Sequence, residues 1–72
     1  MYIVIEIQTN ANGTVGNFVW AFESELEAQS KYHAVLSAAA VSALPVHAAA
    51  ILRNDGMLIA GQAYEHGEAK QG

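Results

Sequence analysis

The chain has 72 residues, of which 53% are hydrophobic and only 14% charged, with a net charge of −4. A single domain of this length buries only about 60% of its unfolded surface, so its core is marginal and wants support from a disulfide, a metal or a partner. The lack of cysteine excludes disulfides and thiolate metal sites, His33, His47 and His66 have no metal-ligand spacing, and Lys31, Arg53 and Lys70 are too few and too scattered to form a phosphate-binding stripe.

These exclusions leave association with itself as the support that remains. A small monomer has much surface and little interior, and should exceed the usual charged share of about 25%. The deficit here reads as surface buried between subunits. Nucleic acid and anionic membrane are not expected as partners, and no cofactor is expected. The opening MYIVIEIQT has no basic segment and meets Glu6 early, which argues against a signal peptide and for the cytoplasm. Residues 34–52 carry no acidic, Lys or Arg side chain, but they are rich in Ala and Ser and broken by Pro45 and His47, unlike the roughly 20 strongly apolar residues of a spanning helix.

Residues 1–8 alternate as a strand does, with Ile3, Ile5 and Ile7 on one face and Tyr2, Val4, Glu6 and Gln8 on the other. Asn10-Ala11-Asn12-Gly13 is turn chemistry, because Asn and Gly tolerate positive φ. Val15 to Phe22 is a second strand with Phe18, Trp20 and Phe22 on one face, so the two form a hairpin. Ser24-Glu25-Leu26-Glu27 is a capping box and starts a helix predicted over residues 25–43. Pro45 stops it and disfavours helical geometry at Leu44. Val46 to Leu52 is a third strand, Asn54-Asp55-Gly56 a hairpin turn, and Met57 to about His66 a fourth strand.

The predicted architecture is α+β, ββαββ: a four-stranded antiparallel sheet in the order 2-1-3-4 with one helix on one face, forming a homo-oligomer. Residues 1–66 make the single domain and residues 67–72 a flexible tail. Ile3, Ile5 and Ile7 are expected beneath the helix, whose packing stripe is Ala28, Tyr32, Val35, Leu36, Ala39 and Ala43. The back of the helix carries Ser30, Ala34, Ser37, Ala38 and Val41, where Glu, Lys and Gln are usual. Small residues at this spacing admit a second helix at close range. Tyr2, Val4, His47, Ala49 and Ile51, or Phe18, Trp20 and Phe22, would then point out as a further apolar patch.

Two clusters carry candidate chemistry. With the first and third strands adjacent, Glu6, His47 and Arg53 (beside Gln8) fall on the face away from the helix. A carboxylate, an imidazole and a guanidinium there suit general acid–base work or an anionic ligand. Lys31, Tyr32 and His33, with Trp20 or Phe18 as a stacking platform, suit a nucleotide-like ligand. Against both stand plainer readings: an interface polar cluster for the first, and a core Tyr32 flanked by rim residues for the second.

The segments MYIVIEIQTNANGTVGN and SKYHAVLSAAAVSALPVHAAAIL resemble short proteins of Firmicute phages and prophages, over residues 1–52. That group carries no activity to transfer to any residue. The resemblance implies a phage accessory, of a kind that is often oligomeric and that binds a host protein or sequesters a small signalling ligand against host defence. Three functions follow: a non-enzymatic oligomeric binding protein, a structural accessory of the virion without ligand, and a small acid–base enzyme built on Glu6, His47 and Arg53.

Overall fold

The computed structural model describes residues 1–66, so the expected tail at 67–72 lies outside the described residues. Strand β1 (Tyr2–Thr9) and strand β2 (Val15–Phe22) form the first hairpin. Helix α1 (Glu25–Ala40) follows, and then β3 (Val46–Arg53) and β4 (Leu58–Glu65) form the second hairpin. The sheet order is β2-β1-β3-β4 and every neighbouring pair is antiparallel. The α+β class and the strand order are those predicted.

The two hairpin turns are built alike. Asn10 N donates to Thr14 O (2.8 Å) and Gly13 N to Asn10 O (2.9 Å), while Arg53 N donates to Met57 O (2.9 Å) and Gly56 N to Arg53 O (2.9 Å). In each turn the residue before the glycine uses its side-chain oxygen to accept the backbone N–H two residues on: Asn12 from Thr14 and Asp55 from Met57, both at 3.0 Å. Gly13 and Gly56 sit at φ +89° and +88°, a conformation that a Cβ would penalise.

Ser24 is the helix N-cap: it is extended, and its Oγ accepts from Glu27 N at 3.4 Å. The helix ends at Ala40, not at residue 43 as predicted. Val41 N and Ser42 N close the last turn on Ala38 and Ala39, and Ser42 Oγ then takes Leu44 N at 3.1 Å. The serine hydroxyl thus offers the backbone a partner outside the helix before Pro45 is reached. The stripe loses Ala43, which is exposed, and keeps Ala28, Tyr32, Val35 and Ala39 as its buried members, with Leu36 half-buried.

The face of the sheet beneath the helix is the reverse of the one predicted. The core joins Val4, Ala49 and Ile51 of the sheet to Ala28, Tyr32 and Val35 of the helix, flanked by Tyr2, Trp20, Phe22, Leu36 and Ala60. Ile3, Ile5 and Ile7 lie on the other side. Chain direction explains this. β2 and β3 both run antiparallel to β1, so α1 is a crossover between parallel strands, and such crossovers take one hand in nearly every sheet. That hand fixes the side of the sheet on which the helix lies, and the hydrogen-bond phase of the hairpin fixes which residues point to it; the number of isoleucines does neither. The chosen face also suits a close helix. Ala28, Ala39 and Ala49 let the backbones approach, while aromatic rings from β1, β2 and α1 fill the flanks. Val4 and Ile51 are its two largest fully buried side chains. Ile51→Val should cost about 1 kcal/mol and lower the melting temperature by about 4–8 °C in a domain of this size. An unchanged melting temperature would remove Ile51 from the core.

Candidate functional site

Register decides which polar side chains meet. Gln8 is opposite His47 across β1 and β3, Ala49 is opposite Glu6, and Phe18 is opposite Glu6 across β1 and β2. Residues paired in this way share a face, so Glu6, Gln8 and His47 lie on the helix side with Val4 and Ile51. The prediction that Glu6, His47 and Arg53 face away from the helix is therefore corrected. Alternation kept them together, but with the covered face rather than the open one.

His47 is 5% exposed. Its Nε2 donates to Glu6 Oε2 at 2.5 Å, and Gln8 Nε2 donates to the same oxygen at 3.0 Å. Burial raises the Glu6 pKa. The hydrogen bonds from His47 and Gln8, followed by the charges of His47 and Lys31, more than offset this and hold it below the ordinary carboxylate value of 4.5. With Nε2 carrying the proton toward Glu6, Nδ1 is buried without a partner among the described residues. An unpaired buried nitrogen is costly, and it fixes the ring by what Nε2 does alone.

Arg53 does not join this pair. Its β1 partner is Tyr2, four residues along the strand from Glu6, or about 13 Å. Its guanidinium donates to Asp55 at 2.6 Å, with about half of each side chain in solvent. Each raises or lowers the other in the expected sense: Asp55 raises the Arg53 pKa, and Arg53 lowers that of Asp55. Arg53 is a turn residue here, and the trio reduces to a pair.

The second cluster is also divided. Lys31 Nζ sits 4.1 Å from the centre of the Trp20 ring, a cation–π contact, and Phe18 lies beside Trp20 with ring centres 6.1 Å apart. Phe18 is 52% exposed, so this strip of β2 presents an aromatic surface with a cation above it. Tyr32 is buried in the core instead, and His33 is exposed, its ring 5.4 Å from that of Tyr32. Glu6 lies opposite Phe18 and feels the charge of Lys31, so the two groups adjoin on the helix side of the sheet, from β3 across β1 to β2.

One residue had no role assigned from sequence. His66 Nε2 donates to Ala39 O at 2.8 Å, a second donor to a carbonyl that also accepts from Ser42 N, and its backbone N–H donates to Pro45 O at 2.8 Å. The end of the fourth strand is thereby tied to the end of the helix. Only its place just past that strand could have pointed to it. No group of three His, Cys, Asp or Glu side chains among the described residues is arranged to hold a metal. No helix among them is long and apolar enough to cross a membrane.

The opposite face of the sheet has no such polar content. Ile3, Ile5, Ile7, Ala48, Ala50 and Leu52 run down its two central strands. Val19, Leu58 and Val15, at its margins, are 59%, 60% and 62% exposed. No protein-family model matches the chain, and no curated protein or solved structure matches it significantly.

Glu6 gives a pH test. Its pKa is lowered by folding, so its contribution to stability is complete above 4.5 and is lost as pH falls through the depressed folded value. Glu6→Gln should cost about 1–3 kcal/mol at pH 7, because the charge-assisted acceptor of His47 is gone. The loss of stability on acidification below pH 4.5 should also become shallower. Urea titrations of both proteins at pH 7 and pH 3.5 check it, and parallel acid profiles would show that the pair contributes nothing.

Proposed function

We propose that the chain is a non-catalytic, homo-oligomeric binding module. In this reading it is a phage or prophage accessory acting in the cytoplasm of a bacterial host, and it takes a small, anionic, nucleotide-like ligand on the helix side of its sheet rather than at the subunit junctions. The observation that carries the oligomer is the open sheet face, apolar except for Thr9, Asn17 and Glu65 toward one end and covered by no segment among the described residues. A soluble monomer rarely shows so large a patch. The low charge content supports the same conclusion.

Binding is favoured over catalysis by the state of the acid–base groups. Glu6 Oε2 already accepts from both His47 and Gln8, and Arg53 is held by Asp55. His47 keeps Nδ1 unpaired but is only 5% exposed, so the imidazole is shut away from a substrate in solvent. The ligand class follows from Phe18 and Trp20, which offer stacking area, and from Lys31, which offers positive charge above it. A host protein docking on the same strip, or a virion accessory without ligand, are the readings that the experiment separates from this one.

Light scattering at micromolar concentration should give at least twice the 7.6 kDa chain mass, and a clean monomer removes the oligomer. Thermal melts with mononucleotides and cyclic dinucleotides should show a rise for the ligand class. Saturation at a hundred times Kd adds about 2.7 kcal/mol, which is more than 10 °C at this size. A flat response across the panel removes the small-ligand reading and leaves the protein partner or the structural role.

A further inference from the structure

The open face has a relief that the register makes explicit. Across the middle of the sheet, from β2 to β4, it reads Val19, Ile5, Ala50, Gly61. The side chains step from large to none. One row further along, Asn17, Ile7, Ala48 and Ala63 step the same way. The row on the other side reverses at its ends, with Ala21, Ile3, Leu52 and Leu58. Gly61 lies in the floor of this trough: a Cβ there would sit 3.7 Å from Ala50 Cβ and 3.9 Å from Leu58 Cδ1. β1 is thus a ridge of isoleucine beside a trough of small residues on β3 and β4.

We infer that the open face is covered by a second copy of the same chain, stacked sheet on sheet about a twofold axis that runs along the strands between β1 and β3, so that the isoleucine ridge of each copy fills the small-residue trough of the other. This rests on the oligomeric reading above and specifies its interface. The axis reverses each row. Val19 comes over the second copy's Gly61, Ile5 over its Ala50, Ile7 over its Ala48, and Ala21 over its Leu58. Large meets small in each of these pairs, and Ile3 over Leu52 fills the end. The other twofold axis in the plane, running across the strands, stacks β1 on β1 and β3 on β3. Isoleucine then meets isoleucine while alanine and glycine face each other across a gap, which close packing does not tolerate.

Two further observations favour a second copy over an unrelated partner. A self-complementary relief is what a twofold interface requires, since the same patch serves on both sides. The face is also free of charge apart from Glu65 at its corner, so two copies of a chain with net charge −4 can stack without bringing acids together. Its extent is sufficient. Four strands of eight residues at the usual strand spacing and rise project about 500 Å² before side-chain relief is counted. A standard interface takes about 800 Å² of accessible surface per partner. Stacked sheets of this twist pack at about −30°, which keeps the central rows in register.

The test exchanges ridge and trough. Ile5→Ala removes ridge volume and Ala50→Ile fills the trough, and each alone should raise the dimer dissociation constant roughly tenfold or more in sedimentation equilibrium. The double variant, Ile5→Ala with Ala50→Ile, sets a small β1 side chain over a large β3 side chain. It should return to within about threefold of the unaltered chain, because the complementarity is restored with its sides swapped. Circular dichroism confirms folding, and Val19→Asp on the exposed edge provides a second disruption that spares the helix-side core. Singles that dissociate without rescue in the double variant would overturn this stacking. A dimer indifferent to Ile5→Ala and Val19→Asp but broken by Ala34→Glu would place the interface on the helix back, leaving the oligomeric reading intact and this inference wrong. A monomeric unaltered chain would overturn both.

Discussion

A sheet has two faces, and this chain has one helix. That mismatch governs the rest of the structure. Sixteen residues of helix cover the side on which Val4, Ala49 and Ile51 lie, and no segment among the described residues returns to cover the other. In a domain of this length the uncovered side is a large part of all the apolar surface the sheet can bury. The low charge content is the compositional face of the same fact: residues that a fully solvated sheet would spend on Lys, Glu and Thr are here Ile, Val and Ala.

The covered side is where the polar chemistry sits, which inverts the usual layout of core and surface. Glu6 and His47 are tolerable under a helix because each answers the other, with Gln8 as a second donor to the carboxylate. Their orientation is dictated by strand register, not by the helix. The cation–π contact of Lys31 with Trp20 closes the same region from above, so one continuous set of interactions joins the helix start to β1 and β2. Charge in this fold gathers on the helix side and in the turns, and the other side is left apolar.

Much of this was legible in the sequence. The alternation of residues 1–8, the two glycine turns, the Ser24 cap and Pro45 each carry a local rule, and the elements and their order followed from them. What was not legible was the side of the sheet on which the helix lands. Period-two alternation separates two sets of residues without saying which is in, and three isoleucines are a strong lure. The decision belongs to the crossover from β2 to β3 together with the hydrogen-bond phase of the paired strands, neither of which alternation within one strand reveals. The misplacement of Arg53 has a simpler origin: sharing a face does not mean sharing a place, and β1 is long enough to keep its two ends apart. Ser42 ended the helix early through a hydroxyl that propensity alone does not weigh. His66 became visible only once the end of β4 was brought to the end of the helix.

The two edge strands differ in a way that bears on how far such a molecule can grow. β2 pairs with β1 through eight unbroken positions and carries no charged residue, so its outer edge is straight and undefended. The register of β4 slips between Ile51 and Leu52, and a bulge of this kind twists an edge out of alignment with a neighbour. A molecule with one receptive edge and one blunted edge can join strand to strand only once, β2 against β2, before its supply of free edges is spent. For a single chain lateral pairing therefore stops at two, whereas the face-to-face pair inferred above presents two β2 edges, on opposite sides, and has no such limit.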